Sequence, residues 1–209
     1  VRDNAGNFWM CDEYRPAIYK FNKNGVLIDR YVPSGASQLG TTPQPTGTYG
    51  NETLPAVYNK RWANRGFEAI AYDDVNDVIY AFIQSPMYNP NSSTKNNSDV
   101  IRILAVDAAN GTPVAEYVYL LENNRDASHS LSRTDKIGDA VFTGNGKFLV
   151  VERDSEGPTV KEGKKMIFEI TLTGATNTLT AFATDTLEIK SADELEAMGI
   201  QANFTLVNN

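Results

Sequence analysis

The sequence predicts an all-β protein, a β-propeller of four-stranded antiparallel blades in partial form, either a fragment or half of the ring. Three observations carry this. Short stretches alternating apolar and polar residues at period two recur along the chain. Asn-Gly pairs and Asp- or Asn-rich turns separate them at hairpin spacing. Strand signals dominate throughout, with a single helix signal near the end. Successive small antiparallel sheets joined by loops fit blades stacked face to face around a channel, with a β-sandwich as the alternative. Two blades and pieces of two more are accounted for, so a partner chain completing the ring is expected if nothing else supplies it.

The first unit holds strands over Phe8–Tyr14, Ala17–Phe21 and Val26–Val32. Its Asn22-Lys-Asn-Gly25 turn supplies the positive φ that a tight hairpin demands. Residues 33–63, with Pro33, Pro43, Pro45 and Pro55, lose the periodicity, and a loop of that length is usually functional. Strands resume at Gly66–Tyr72 and Val78–Gln84. A second polar loop covers 85–99, and Val100–Asp107 and Val114–Leu121 then flank the Asn110-Gly111 turn. Ile101, Ile103 and Ala105 alternate with Arg102, Leu104 and Val106, so both faces are largely apolar and the sheet is expected to be covered on both sides. After the polar stretch 122–135 come Ile137–Thr143, the Asn145-Gly146 turn, Lys147–Arg153, a loop, and Lys165–Thr173. Ser191-Ala-Asp-Glu194 has the spacing of a capping box and opens a short helix over Ala192–Met198. Asn203–Val207 reads as one more strand. The expected organisation is one incomplete domain over 1–209, with long loops at 33–63 and 85–99.

Composition excludes several partners. The net charge of −7 opposes a phosphate backbone, so no nucleic-acid partner is expected. No apolar run approaches the roughly 20 residues of a membrane span. Val1-Arg2-Asp3 passes almost at once into a strand, so no leader segment is expected. One cysteine and one histidine rule out an internal disulfide and a zinc site built from about four Cys or His. Cys11 is expected to pack as a small hydrophobe, and His129 to be a solvated loop residue. Sequons at Asn51, Asn91, Asn96, Asn110 and Asn203 fit a secreted glycoprotein, and equally an Asn-rich bacterial protein.

The polar residues beside the apolar strands carry the functional signal. Asp12-Glu13-Tyr14-Arg15 lies in the first unit and Asn64-Arg65-Gly66-Phe67-Glu68 opens the second. Lys136-Ile137-Gly138-Asp139 opens the third, and Glu152-Arg153-Asp154 ends its next strand. In a propeller the innermost strands converge, so these acids would meet, and crowded carboxylates need a compensating cation. Oxygen-only ligation suits Ca²⁺, which takes about six to eight oxygens. Arginines added to such a site can fork around a phosphate or carboxylate. The set suits hydrolysis of an anionic ester, a metal polarising the bond and an arginine holding the charge. The plainer alternatives are solvated turn acids at Asp12 and Glu13, and Arg65 and Arg153 neutralising their neighbours Glu68 and Glu152. Glu68 and Glu152, which interrupt apolar runs, are expected to face inward, and Phe8, Trp9 and Tyr14 to lie in the core.

Four segments in order, Phe-Trp-x-x-Asp-Glu-Tyr-x-Pro-x-Ile-x-x-Phe, Asn-Arg-Gly-Phe-Glu-x-Ile-Ala, Lys-Ile-Gly-Asp and Phe-Leu-Val-Val-Glu-Arg-Asp, span residues 8–154. Together they resemble the phytase-like propeller family, described as having esterase-like activity of phytase. The resemblance implies a secreted, periplasmic or cell-surface β-propeller and a calcium-dependent phosphoesterase. It points to Glu68, Asp139 and Glu152 as catalytic, and to Arg15, Arg65, Arg153 and Asn64 as substrate-binding. The implied metal ligands are Asp12, Glu13, Glu68, Asp139, Glu152 and Asp154. A later family motif, a Glu-Gly pair entering a further strand with an acidic run behind it, has no match here. The rival reading is a non-catalytic, calcium-stabilised propeller that binds a partner or glycan, or a structural component of an extracellular assembly. Serine hydrolysis is disfavoured, since no Gly-x-Ser-x-Gly elbow occurs.

Overall fold

The computed structural model describes residues 1–121, 134–157, 159 and 164–202; His129 and the strand expected at Asn203–Val207 lie outside them. The described chain is all-β apart from one short helix and a few 3₁₀ turns, and its strands form three sheets. The first contains β1 (Phe8–Asp12), β2 (Ala17–Phe21), β3 (Leu27–Pro33) and β4 (Asn51–Leu54), in that order. Its β1–β2 and β2–β3 pairs are antiparallel, but β4 runs parallel to β3. A hairpin cannot make a parallel pair, which needs a crossover of about a dozen residues or more. Residues 34–50 are that crossover, so the segment expected to be irregular yields a strand and 3₁₀ turns at Ala36–Gln38 and Ala56–Lys60.

The second sheet is an antiparallel meander of β5 (Phe67–Asp73), β6 (Val78–Ile83), β7 (Val100–Asp107) and β8 (Pro113–Leu120). The third is β9 (Lys136–Gly144), β10 (Lys147–Arg153) and β11 (Lys165–Thr171), with β10 in the middle. Asn145 and Gly146 between β9 and β10 have φ of 54° and 72°, the two left-handed residues of a type I′ hairpin turn.

β5 lies between β1 and β9, so the first strands of the three sheets are neighbours and the second sheet is the middle layer. Accordingly β7 is buried from Val100 through Val106, as its two apolar faces require. Trp9, Ile18 and Tyr31 of the first sheet, Phe67, Phe82 and Ile103 of the second, and Phe148 and Val150 of the third join one core. Phe148 meets Tyr80, Phe82 and Phe142 edge-on, the geometry preferred by aromatic quadrupoles. Lys20 Nζ donates to the carbonyls of Ala108 and Ala109 at 2.8 and 2.9 Å, fastening the first sheet to the β7–β8 turn.

The two flanking sheets keep their far faces uncovered. Phe8, Met10 and Leu27 stand 43%, 56% and 48% exposed on the first, and Val141, Leu149 and Ile167 54%, 39% and 65% exposed on the third. Phe8 therefore does not join the core, and neither does Tyr14; Trp9 does.

Residues 174–202 return across the middle sheet as a strap. Its helix α1 (Ala192–Ala197) has the predicted capping box, with Ser191 and Glu194 exchanging both bonds. Leu187, Leu195 and Ile200 pack on Val100 and Val118. Beneath the strap Arg102, nearly inaccessible, donates to Glu116 at 2.8 Å and to Glu188 at 2.7 Å. Tyr58 Oη donates to Glu116 and Asn89 Nδ2 to Glu188, at 2.8 and 2.6 Å. Buried charge is tolerated because every partner is present.

Candidate functional site

The site lies where the β1–β2 turn, the start of β5, the end of β6, the start of β9 and the end of β10 meet. Asn64 adopts a left-handed φ of 57°, which turns the chain into Arg65 and Gly66. The Gly66 amide donates to the Glu13 carbonyl. A Cβ at Gly66 would stand 2.7 Å from the carbonyl oxygens of Asp12 and Glu13, so only glycine lets the two turns close on each other.

That closure sets two carboxylates against one amide. Gln84 Nε2 donates to Glu13 Oε2 and to Glu68 Oε2, both at 2.7 Å. Asn64 Nδ2 donates to the other Glu13 oxygen at 3.2 Å. Arg153 Nη2 meets the other Glu68 oxygen at 3.4 Å. Burial raises the pKa of Glu68, the adjacent Glu13 carboxyl raises it further, and Gln84 and Arg153 hold it back.

A basic rim adjoins this pair. Arg65 Nη1 donates to Ser85 Oγ at 2.5 Å, lies 3.6 Å from Asp135 Oδ2 and stacks 4.2 Å from the Trp62 ring centre. Lys136 Nζ pairs with Asp135 at 2.8 Å and also donates to Ser155. Burial lowers the pKa of Lys136, and the Arg65 and Arg153 charges act in the same direction against the Asp135 contact. Cys11 packs against the core, where burial foremost, with Glu68 adding to it, pushes its thiol up to about 12; that makes it the inert hydrophobe expected.

Of the expected residues the fold therefore gathers Glu13, Asn64, Glu68 and Arg153, with Arg65 beside them. The arginine pairings differ from those inferred by proximity in sequence: Arg65 pairs with Asp135 and Arg153 with Glu68. Successive strand residues point to opposite faces, so Arg153 reaches the site while Glu152 does not. Glu152 is fully buried and accepts from Tyr119 Oη, which ties the third sheet to the second. Asp139 is exposed on β9, one oxygen accepting from the Ala140 amide at 2.8 Å. Asp12 closes its own turn, accepting from the Tyr14 and Arg15 amides at 2.8 and 3.3 Å and from Tyr19 Oη at 3.0 Å. Asp154 closes the β10–β11 loop through the Lys164 amide, the Lys165 ammonium and the Glu156 amide. Burial would raise its pKa, but those bonds prevail and lower it. Arg15 stacks 3.7 Å from the ring centre of Tyr49, away from the carboxylate pair.

The expected calcium ligands thus converge only at Glu13 and Glu68. Among the described residues no group of three or more His, Cys, Asp or Glu could hold a metal ion. Two carboxylates already bridged by Gln84 fall short of the six to eight oxygens calcium takes, so the described residues do not form that site by themselves. Sequence reasoning missed Gln84, Ser85 and Asp135, and quoted Lys136 in the Lys-Ile-Gly-Asp segment without giving it a role. The one signal for Gln84 and Ser85 was the abrupt change from the apolar run Val78–Ile83 to Gln84-Ser85.

Fold and site together define an all-β protein of stacked sheets with an acid pair and a basic rim gathered at its strand ends. The chain belongs to the phytase-like family, described as esterase-like activity of phytase, which matches residues 1–208. It is similar to an uncharacterized secreted protein of Arthroderma benhamiae, 26% identical over 215 residues that make up 95% of this chain and 41% of the relative. The chain thus spans about two-fifths of that relative's length. Among solved structures it is similar to Saccharomyces cerevisiae Sqt1, at 10% identity and a TM-score of 0.31 over 76% of this chain and 37% of that one; a likeness this slight carries no argument. No helix among the described residues is long and apolar enough to cross a membrane.

Proposed function

We propose that the chain is part of a secreted phytase-like propeller and forms one wall of a site that hydrolyses a small anionic phosphate ester. The observation that carries this reading is the pairing of Glu13 and Glu68 on Gln84, with Arg153 on the same carboxylate and Arg65 and Lys136 on the adjoining rim. Arg153 and Arg65 hold the phosphate charge, for which planar guanidinium forks are suited. Glu68, whose pKa burial and Glu13 raise, is the group placed to give a proton to the leaving oxygen or take one from water. Adjacency of β1, β5 and β9 supports a propeller in which first strands line the axis. The uncovered apolar faces of the flanking sheets support further sheets on either side, supplied by the remainder of a longer protein or by a partner chain. Calcium, on this reading, takes the missing ligands from beyond the described residues.

The test is hydrolysis of p-nitrophenyl phosphate and phytate, with and without chelator and with calcium restored. Glu68→Gln and Arg153→Gln are each expected to lower kcat/KM at least a hundredfold while the far-UV spectrum is unchanged. Activity that survives both substitutions refutes the assignment. A folded protein without hydrolysis under any calcium condition would favour the binding-module reading.

A further inference from the structure

We infer that the groove between the β1–β2 turn and the 34–50 crossover is a second ligand site, for a small organic anion with an apolar body. It is a cavity of about 260 Å³ lined by Arg15, Arg61, Tyr49, Val32, Pro33 and Leu39 among others. That is smaller than the ~300–1,000 Å³ of drug-sized ligand sites, so the occupant is small. No carboxylate lines the groove.

The two guanidiniums define the chemistry. Arg61 Nε and Nη2 both donate to the Tyr14 carbonyl, at 3.1 and 3.0 Å, which fixes the plane of the group and leaves its other N–H donors for a ligand. Arg15 is fixed by its stacking on Tyr49. Among the described residues neither forms an ion pair, and their charges act against one another. The nearby Asp12 gives one oxygen to two turn amides and the other to Tyr19, so it does not close the pair. Two like charges held in place beside an apolar wall are relieved by an anion that both can fork around. Val32, Pro33 and Leu39 receive its apolar body. A carboxylate or a phosphate monoester group satisfies the same donors.

The site is distinct from the carboxylate pair. Glu13 and Arg15 leave one turn in different directions, Glu13 toward Gln84 and Arg15 toward Tyr49. The inference therefore does not depend on hydrolysis at Glu68.

Isothermal titration of the chain with benzoate, phenylphosphonate, inorganic phosphate and neutral benzyl alcohol tests it. Benzoate or phenylphosphonate is expected to bind, inorganic phosphate at least fivefold more weakly, and benzyl alcohol not measurably. Arg15→Gln and Arg61→Gln should each weaken benzoate binding tenfold or more, whereas Arg65→Gln/Arg153→Gln should leave benzoate binding unchanged. Leu39→Trp, at a half-exposed wall position, keeps both charges but fills the groove, and should also weaken binding tenfold. That variant decides the question if an arginine variant fails to fold. The inference is overturned if neither organic anion binds, if binding survives Leu39→Trp, or if only the Arg65→Gln/Arg153→Gln variant loses it.

Discussion

Replacing Gln84 by leucine removes the shared donor of the acid pair with little change in volume. Gln84 is 2% exposed and its side-chain nitrogen makes two 2.7 Å bonds. A hydrogen bond to a charged group contributes about 1.5–3 kcal/mol, and one to a neutral group about 1. The variant should thus lose about 3–6 kcal/mol at pH 7.5, and less at pH 4, where the raised pKa of Glu68 favours its neutral form. The sign follows from linkage. Glu68 already has a raised pKa in the folded state, and Gln84 opposes the rise. Without Gln84 the folded pKa rises further, so the folded variant holds its proton to higher pH than the unfolded chain does. Stability is then lost as pH climbs from the ordinary glutamate value through the raised one. Equilibrium urea unfolding of both proteins at the two pH values reads this directly. An equal loss at pH 4 and pH 7.5 would mean that Gln84 acts by packing alone, and the electrostatic account of the site would fail.

Two further substitutions examine the frame around the site. Arg102→Met leaves Glu116 and Glu188 buried without their common counter-charge and should cost about 3–5 kcal/mol; adding Glu116→Gln and Glu188→Gln should recover part of it, and a melt unchanged by Arg102→Met would remove the ion network from the account of stability. Gly111→Ala places a Cβ 2.2 Å from Tyr31 Cζ at a φ of +71°, so overpacking and left-handed strain together should cost about 2–5 kcal/mol by urea unfolding, and a loss below 0.5 kcal/mol would show that the Tyr31 ring moves aside freely.

Local periodicity made most strands legible. Val100–Asp107 and Lys147–Arg153 begin and end as read, because alternation and Asn-Gly turns act within a few residues. β4 was not legible, since pairing parallel to β3 depends on where a long crossover delivers the chain, and four residues without strong alternation carry no sign of it. The ion network was hidden for a similar reason: Arg102 finds Glu116 and Glu188 at separations of 14 and 86 residues. At the site, residue types were legible and pairings were not. Arg65 and Arg153 each stand beside a glutamate in sequence or on the same strand, yet pleat and turn direction send them to Asp135 and Glu68. Glu152 does face inward as its apolar setting implied, but into the seam between two sheets, where Tyr119 receives it. Its burial says only that the strand is covered, and cannot name the cover.

The strap over the middle sheet sets a limit on how the chain can be shortened. A truncation ahead of Glu188 would uncover Val100 and Val118 and leave Arg102 with a single counter-ion. A segment that contributes no strand is thus the clasp on the sheet with the most strand residues. Variants trimmed for crystallisation or display should keep Ile200, or the centre of the molecule will loosen before either flank does.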